Sequence, residues 1–294
     1  MTNLTGPHSP RVLGIGLVIV SALIFSTVGL FTKGIMASAW DVIFWRGLFA
    51  ALFTTAYVLW RGSFWADFID MGSSGWAAAL VGASGTAAFI PAFKLTSIAN
   101  VSLIYAASPL LAAVLAWAWV GEGLTRRVLT GCAAAFAGVA IIVGGSLGGV
   151  HLRGDLLAAW MTFAIAVMLV IYRRYPKTPA AGPAVLSSLV LLPLGLWFGV
   201  PFSNPPGEIA TLAAFGLVFA MASVTLGEGA KRLPAGETAL LSTLEVVFAP
   251  LFAWAVFMEL PAFASVAGGL LVLAGVVSTQ LPFRTRVGAN GNST

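Results

Sequence analysis

Charge is scarce in this chain: Asp, Glu, Lys and Arg make up only 9% of 294 residues, where a soluble domain carries roughly 25%. With 59% apolar residues and a mean hydropathy of +0.98, a soluble globular protein is excluded. Cysteine is nearly absent. Cys132 stands alone inside an apolar run, so neither an intramolecular disulfide nor a multi-cysteine metal site can form. The two histidines, His8 and His151, both fall in polar connecting segments, which leaves the apolar runs without the usual metal ligand or general base. No metal and no cofactor are expected. A phosphate-binding GxxxxGK[ST] loop is also missing, so this chain alone is not an ATP-driven pump. The 15 Lys and Arg are scattered along the chain, so the net charge of +5 points to a membrane surface and not to nucleic acid.

What the chain does have is ten apolar runs, at 12–32, 40–60, 73–93, 99–120, 128–147, 156–172, 182–202, 209–229, 235–257 and 262–282. Each approaches the roughly 20 residues a helix needs to cross a bilayer. The runs are continuous and do not alternate, and unpaired backbone is costly in lipid, so helices are predicted and not barrel strands. The first run is too long for a signal peptide and is expected to be retained as a span. Residues 284–294 are polar and rich in Gly and Asn, and are expected to form a disordered cytoplasmic tail. With the amino terminus inside, eleven cations fall in inner connections and only Lys33, Lys94 and Arg153 in outer ones. The positive-inside rule then places both termini in the cytoplasm.

A shift of 137 residues superposes Lys94 on Lys231, Trp117 on Trp254, Glu122 on Glu259, Gly131 on Gly268 and Gly138 on Gly275. Coincident Lys, Trp and Glu in so apolar a chain indicate an internal repeat. Residues 1–149 and 150–283 would each hold five spans, and an odd number forces the second half into the membrane upside down. The predicted fold is therefore an all-α integral membrane protein with ten transmembrane helices as two inverted five-helix repeats. Inverted halves are how a carrier obtains two related states around a midplane site.

Three short phrases carry a family resemblance: Ala118-Trp119-Val120-Gly121-Glu122 closing span four, Phe257-Met258-Glu259 closing span nine, and Phe44-Trp45-Arg46-Gly47-Leu48 in span two. Together with the ten spans they resemble the EamA-type branch of the drug/metabolite transporter superfamily, and within it the YddG-type aromatic amino acid exporters. The resemblance implies an exporter in a bacterial inner membrane, with a site between the halves lined by spans one, three, four, six, eight and nine. On those spans Ser26, Phe89, Tyr105, Ser108, Phe163, Thr225, Ser242 and Glu245 are the candidate lining. The family places a proline thirteen residues before each closing Glu. Pro109 fits before Glu122, whereas Val246 takes that place before Glu259 and the nearby proline is Pro250. Hinges are expected at Pro109 and Pro250, the second a turn late.

The intramembrane polar residues give a reading of their own. Glu228 has Lys231 and Arg232 three and four residues on, a structural ion-pair spacing. Glu122, with Arg126 four residues later, and Glu259 read as anchors at helix ends. Glu245 differs: about ten residues into span nine, it lies roughly 15 Å deep in a core about 30 Å thick, with no cation within four residues. An ionised acid there costs roughly 3 kcal/mol, so it must face a cavity, find a partner on another helix, or hold a proton. The repeat register sets Ser108 opposite Glu245 and Tyr105 opposite Ser242, giving spans four and nine matching polar stripes. Arg46, about six residues inside span two, either snorkels outward or reaches Glu245 or a substrate carboxylate. Most tryptophans sit near span ends, where an interfacial belt is the default.

These residues together predict a secondary transporter, not an enzyme. It would export amino acids, aromatic or other neutral ones, or similar small metabolites by alternating access, with protons as the candidate coupling ion. A multidrug or nucleotide-sugar type carrier is the alternative. A passive channel would show conductance without countertransport. Gly82-Ala83-Ser84-Gly85 resembles the serine motif of rhomboid intramembrane proteases, but no histidine lies in a span to activate the serine.

Overall fold

The computed structural model describes residues 9–28, 31, 35–96, 101, 104–143, 152–258 and 263–280. His8, His151, Lys33, Glu259 and the 284–294 tail lie outside the described residues, as do the side chains of Lys94 and Pro250.

Among the described residues the chain is helical and contains no strand. The helices are α1 (Pro10–Ser26), α2 (Ala39–Arg61), α3 (Gly72–Leu95), α4 (Ser108–Val120), α5 (Arg126–Val143), α6 (Leu152–Arg174), α7 (Ala181–Leu189), α8 (Leu192–Phe198), α9 (Pro206–Ala230), α10 (Ala235–Ser242), α11 (Leu244–Phe257) and α12 (Phe263–Gln280). Six segments are long and apolar enough to cross a membrane: 39–61, 72–92, 152–174, 181–198, 206–230 and 235–256. The apolar helices at 10–26, 108–120 and 266–279 are shorter.

Local chemistry sets the ends. Ser9 caps α1 through its hydroxyl, and Ser38 with Asp41 forms a capping box on α2, each supplying an acceptor to an N–H that the helix cannot satisfy. Gly62 and Gly121 close α2 and α4 at φ of 68° and 77°, the left-handed region where a side chain is strained.

The interior is built from small residues. Buried alanines recur through α2, α4, α6, α9 and α10, while Trp60 and Trp197 are 84% and 82% exposed. That distribution suits a bundle in lipid, where close backbone approach replaces the hydrophobic effect between helices. The most extensive packing joins α5 to α12. A Cβ on Gly138 would lie 2.5 Å from the Gly268 carbonyl oxygen, and one on Gly131 would lie 3.0 Å from that of Gly275. These are the four repeat-matched glycines, paired crosswise. Elsewhere α3 packs on α6 as α9 packs on α1, and α2 packs on α9 as α7 packs on α3.

The proline expectations divide. Pro109 and Pro193 sit in the first turn of helices that follow a break, whereas Pro91 and Pro250 lie inside α3 and α11. The break in the second half falls at Thr243, one turn before Val246 and well before Pro250. Thr243 and Ala106 differ by the same 137 residues, and Ala106 and Ala107 form the turn that precedes α4. The second break is therefore in register with the first and lies seven residues before Pro250. At Thr243 the ladder tightens to an i→i−3 bond, with the Val246 amide donating to the Thr243 carbonyl at 3.0 Å.

Candidate substrate site

The two breaks sit beside the polar stripes. Tyr105 precedes the turn at Ala106–Ala107 and Ser108 follows it; Ser242 and Glu245 flank Thr243. A helix interruption inside a membrane frees carbonyls and amides that must find partners, and this is tolerated where the backbone is buried in protein or lines a cavity. Here Tyr105 lies within hydrogen-bonding reach of the Glu245 carboxylate, bringing the two interrupted regions together. The partner that the acid requires thus comes from another helix. Ser26 of α1 also meets this group: its hydroxyl donates to the Ala22 carbonyl at 2.6 Å and to the Glu245 carbonyl at 3.3 Å. Ser108 and Ser242 are buried, and Ser242 donates to the Thr238 carbonyl of its own helix at 3.0 Å. Phe89 shares an apolar cluster with Tyr105, Ala92 and Met161.

Other candidates stand apart. Phe163 is exposed and packs beside Trp160 with ring centroids 5.8 Å apart, on the same α6 stripe as exposed Leu152 and Leu156. Thr225 returns its hydroxyl to the Met221 and Ala222 carbonyls of its own helix, at 2.8 and 3.0 Å.

Arg46 does not snorkel. Its residue is 3% exposed, with the guanidinium carbon 4.1 Å from the ring centroid of Phe219 and 5.5 Å from that of Phe215, both on α9. Its Nε has no hydrogen-bond partner among the described residues. The α9 phenylalanines supply a π face that holds the cation inward. Phe219 in turn meets Phe25 of α1 edge-on, at 6.0 Å.

Of the remaining acids, Glu228 behaves as its spacing indicates, pairing with Lys231 at 2.6 Å and Arg232 at 2.9 Å. Glu122 does not pair with Arg126. Gly121 ends α4 in the left-handed conformation, so residues 122–125 are not helical and the four-residue spacing loses its meaning. Glu122 instead accepts from Arg173 Nε at the end of α6 and, at 3.3 Å, from the Ala235 amide at the start of α10. Two acids that sequence reasoning passed over bind backbone at the opposite end. Asp41 accepts from Val200 N at 2.7 Å, and Glu208 from Ala37 N at 2.8 Å. Only helix-start positions hinted at these two roles. Among the described residues no group of three or more His, Cys, Asp or Glu gathers to hold a metal ion.

The model of the EamA-like transporter family matches residues 12–144 and 152–280. The chain belongs to this family. Similar EamA-like and related chains include the "uncharacterized transporter YyaM" of Bacillus subtilis, 29% identical over 66% of this chain and 68% of that one. Another is solute carrier family 35 member G1 of Mus musculus, 25% identical over 91% of this chain and 77% of that one. An "uncharacterized transporter" of Archaeoglobus fulgidus is 26% identical over 81% and 86%. A protein of known crystal structure superposes with a TM-score of 0.82 at 20% identity, covering 92% of this chain and 97% of that one. That likeness fixes the fold. This EamA-like chain is thus a helical membrane protein whose relatives are transporters.

Proposed function

We propose that the protein is a secondary transporter, not an enzyme, that exports neutral amino acids or similar small metabolites across a bacterial inner membrane by alternating access. Its substrate is bound at the Tyr105–Glu245 junction. The reading rests above all on that one approach, an intramembrane acid set within reach of Tyr105 where two helix interruptions fall in one repeat register. Broken helices at the midplane of inverted repeats are where carriers bind substrate, and Glu245 has no cation paired with it among the described residues, which leaves its carboxyl group to a substrate ammonium. Ser26, Ser108, Ser242 and Phe89 complete this site, with Arg46, Thr225 and Phe163 on its approaches. The inverted arrangement of 1–149 and 150–283 is supported by the crosswise glycine pairs, since a two-fold axis exchanges Gly131–Gly275 with Gly268–Gly138. The basic end, with Arg126, Arg127, Arg173 and Arg174, faces the cytoplasm in this reading.

Two roles for Glu245 are separable. As a substrate ligand its loss weakens uptake and leaves pH dependence intact; as a proton carrier its loss abolishes the response to a pH gradient and leaves exchange running. The absence of an acid at the matching position, Ser108, favours the ligand role. The test is uptake of labelled amino acids, amphipathic drugs and nucleotide sugars into liposomes holding wild type or Glu245→Gln. Saturable uptake of a neutral amino acid that falls at least tenfold in the variant is the expected result. Equal uptake and equal pH dependence in both proteins would refute both roles, and saturable uptake of only drugs or nucleotide sugars would refute the amino acid assignment.

A further inference from the structure

Glu122 has no part in the substrate site, yet its carboxylate joins three spans. One oxygen accepts from Arg173 at the end of α6, the other from the Ala235 amide at the start of α10, and Glu122 itself follows α4. Two residues on, Glu237 of α10 takes Arg11 of α1 at 2.8 Å. The first turn of α10 is thereby fastened to α4, α6 and α1 at the basic end. The seam below is tight: a Cβ on Gly236 would lie 2.8 Å from that of Ala113 in α4. A crevice of about 220 Å³, bordered by Glu122, Arg173, Thr125 and Glu237, opens beside the seam, and Ala113 and Gly236 also line it.

Span nine packs asymmetrically about its break. On the basic side of Thr243, α10 packs extensively on α4 and also on α6 and α1; beyond it, α11 packs on α1 and α12 and, among the described residues, makes no comparable contact with α4 or α6. Span nine is therefore closed against α4 and α6 at the basic end and stands off them beyond Tyr105–Glu245.

We infer that this conformation is closed at the basic end and that Glu122 is its latch, a carboxylate that holds α10 on α4 and α6 and must release when the site opens there. A carboxylate suits the task because its two oxygens take a cation from one helix and an orphan N-terminal amide from another, and charge-assisted bonds of this kind are the strong ones. A plain helix-end anchor would bind its own helix. This inference rests on the transporter reading.

The test uses Thr238, which is fully buried in α10. In a Cys132→Ala background, Thr238→Cys in the full-length protein in lipid nanodiscs is labelled with a fluorescent maleimide, and Ala158→Cys, buried near the far end of α6, serves as the control. Breaking the latch with Glu122→Gln, or with Arg173→Met should the first variant fold poorly, is expected to raise the Thr238→Cys rate about tenfold, while Arg173→Lys keeps it slow and Ala158→Cys stays unlabelled. An unchanged Thr238→Cys rate in either folded variant would overturn the latch, as would a parallel rise at Ala158→Cys. Labelling needs no substrate, so failure of the uptake panel with accelerated labelling rejects the substrate assignment, whereas normal uptake with unchanged labelling rejects the latch.

Discussion

Arg46 offers a sharp test of how a buried cation is tolerated here. Replacing it with Met removes a cation–π contact with Phe219 that is worth about 2 kcal/mol when desolvated. The same substitution removes an intramembrane charge that costs roughly 3 kcal/mol. It also removes an Nε–H that has no partner among the described residues, and a buried donor left without an acceptor costs about 1–3 kcal/mol. Methionine keeps an unbranched, polarisable chain against the two rings. The unfavourable terms exceed the favourable one, so Arg46→Met is expected to be at least as stable as wild type. At roughly 2–4 °C per kcal/mol for a chain of comparable size, the midpoint should hold steady or rise by several degrees in a thermal melt of detergent-solubilised protein. A fall of more than about 5 °C would refute this balance and make Arg46 a structural cation. Uptake measured on the same variant then assigns its use: lost transport in a more stable protein marks a residue kept for an anionic substrate group, and unchanged transport removes it from the site.

Gly138→Ala should lower the melting midpoint by the several degrees that overpacking by about 1–3 kcal/mol implies, because its Cβ meets the Gly268 carbonyl oxygen; Gly16→Ala, with nothing within 4 Å, should leave the midpoint level or slightly higher in the same melt. Tyr105→Phe removes the hydroxyl that holds Glu245 while keeping the ring, so the half-saturation concentration for uptake should rise severalfold with little change in the melt, and an unchanged concentration would count against the junction as the site. In intact cells an impermeant thiol reagent should reach Arg153→Cys and spare Thr125→Cys, both exposed positions; the reverse pattern would invert the assigned orientation.

How much was legible in the sequence depends on the range over which each feature is encoded. The helical, membrane-spanning character was readable because the apolar runs are set by bilayer thickness, and six described segments are long and apolar enough to cross. The Glu228 pair was readable because three- and four-residue spacings on a continuous helix fix the geometry. The partners of Glu122 were unreadable for the complementary reason: Gly121 interrupts the helix, and Arg173 and Ala235 lie 51 and 113 residues away. For Arg46 the sequence leaves two readings, outward toward water or inward toward Glu245 or a substrate, and only the packing of α2 on α9 reveals the phenylalanines that hold it. The break at Thr243 carries no proline, and the repeat register was its sole sequence signal. Pro250, the residue that drew attention, is accommodated inside a helix.

A carrier that alternates between two openings differs from a channel in showing solute counterflow. Proteoliposomes preloaded with a high concentration of the amino acid found in the uptake panel are diluted into a trace of the same labelled compound. Label should accumulate transiently above equilibrium in the wild type, and Glu245→Gln should abolish this overshoot. A monotonic approach to equilibrium, with flux proportional to concentration at every level tested, would contradict the carrier and leave a passive channel.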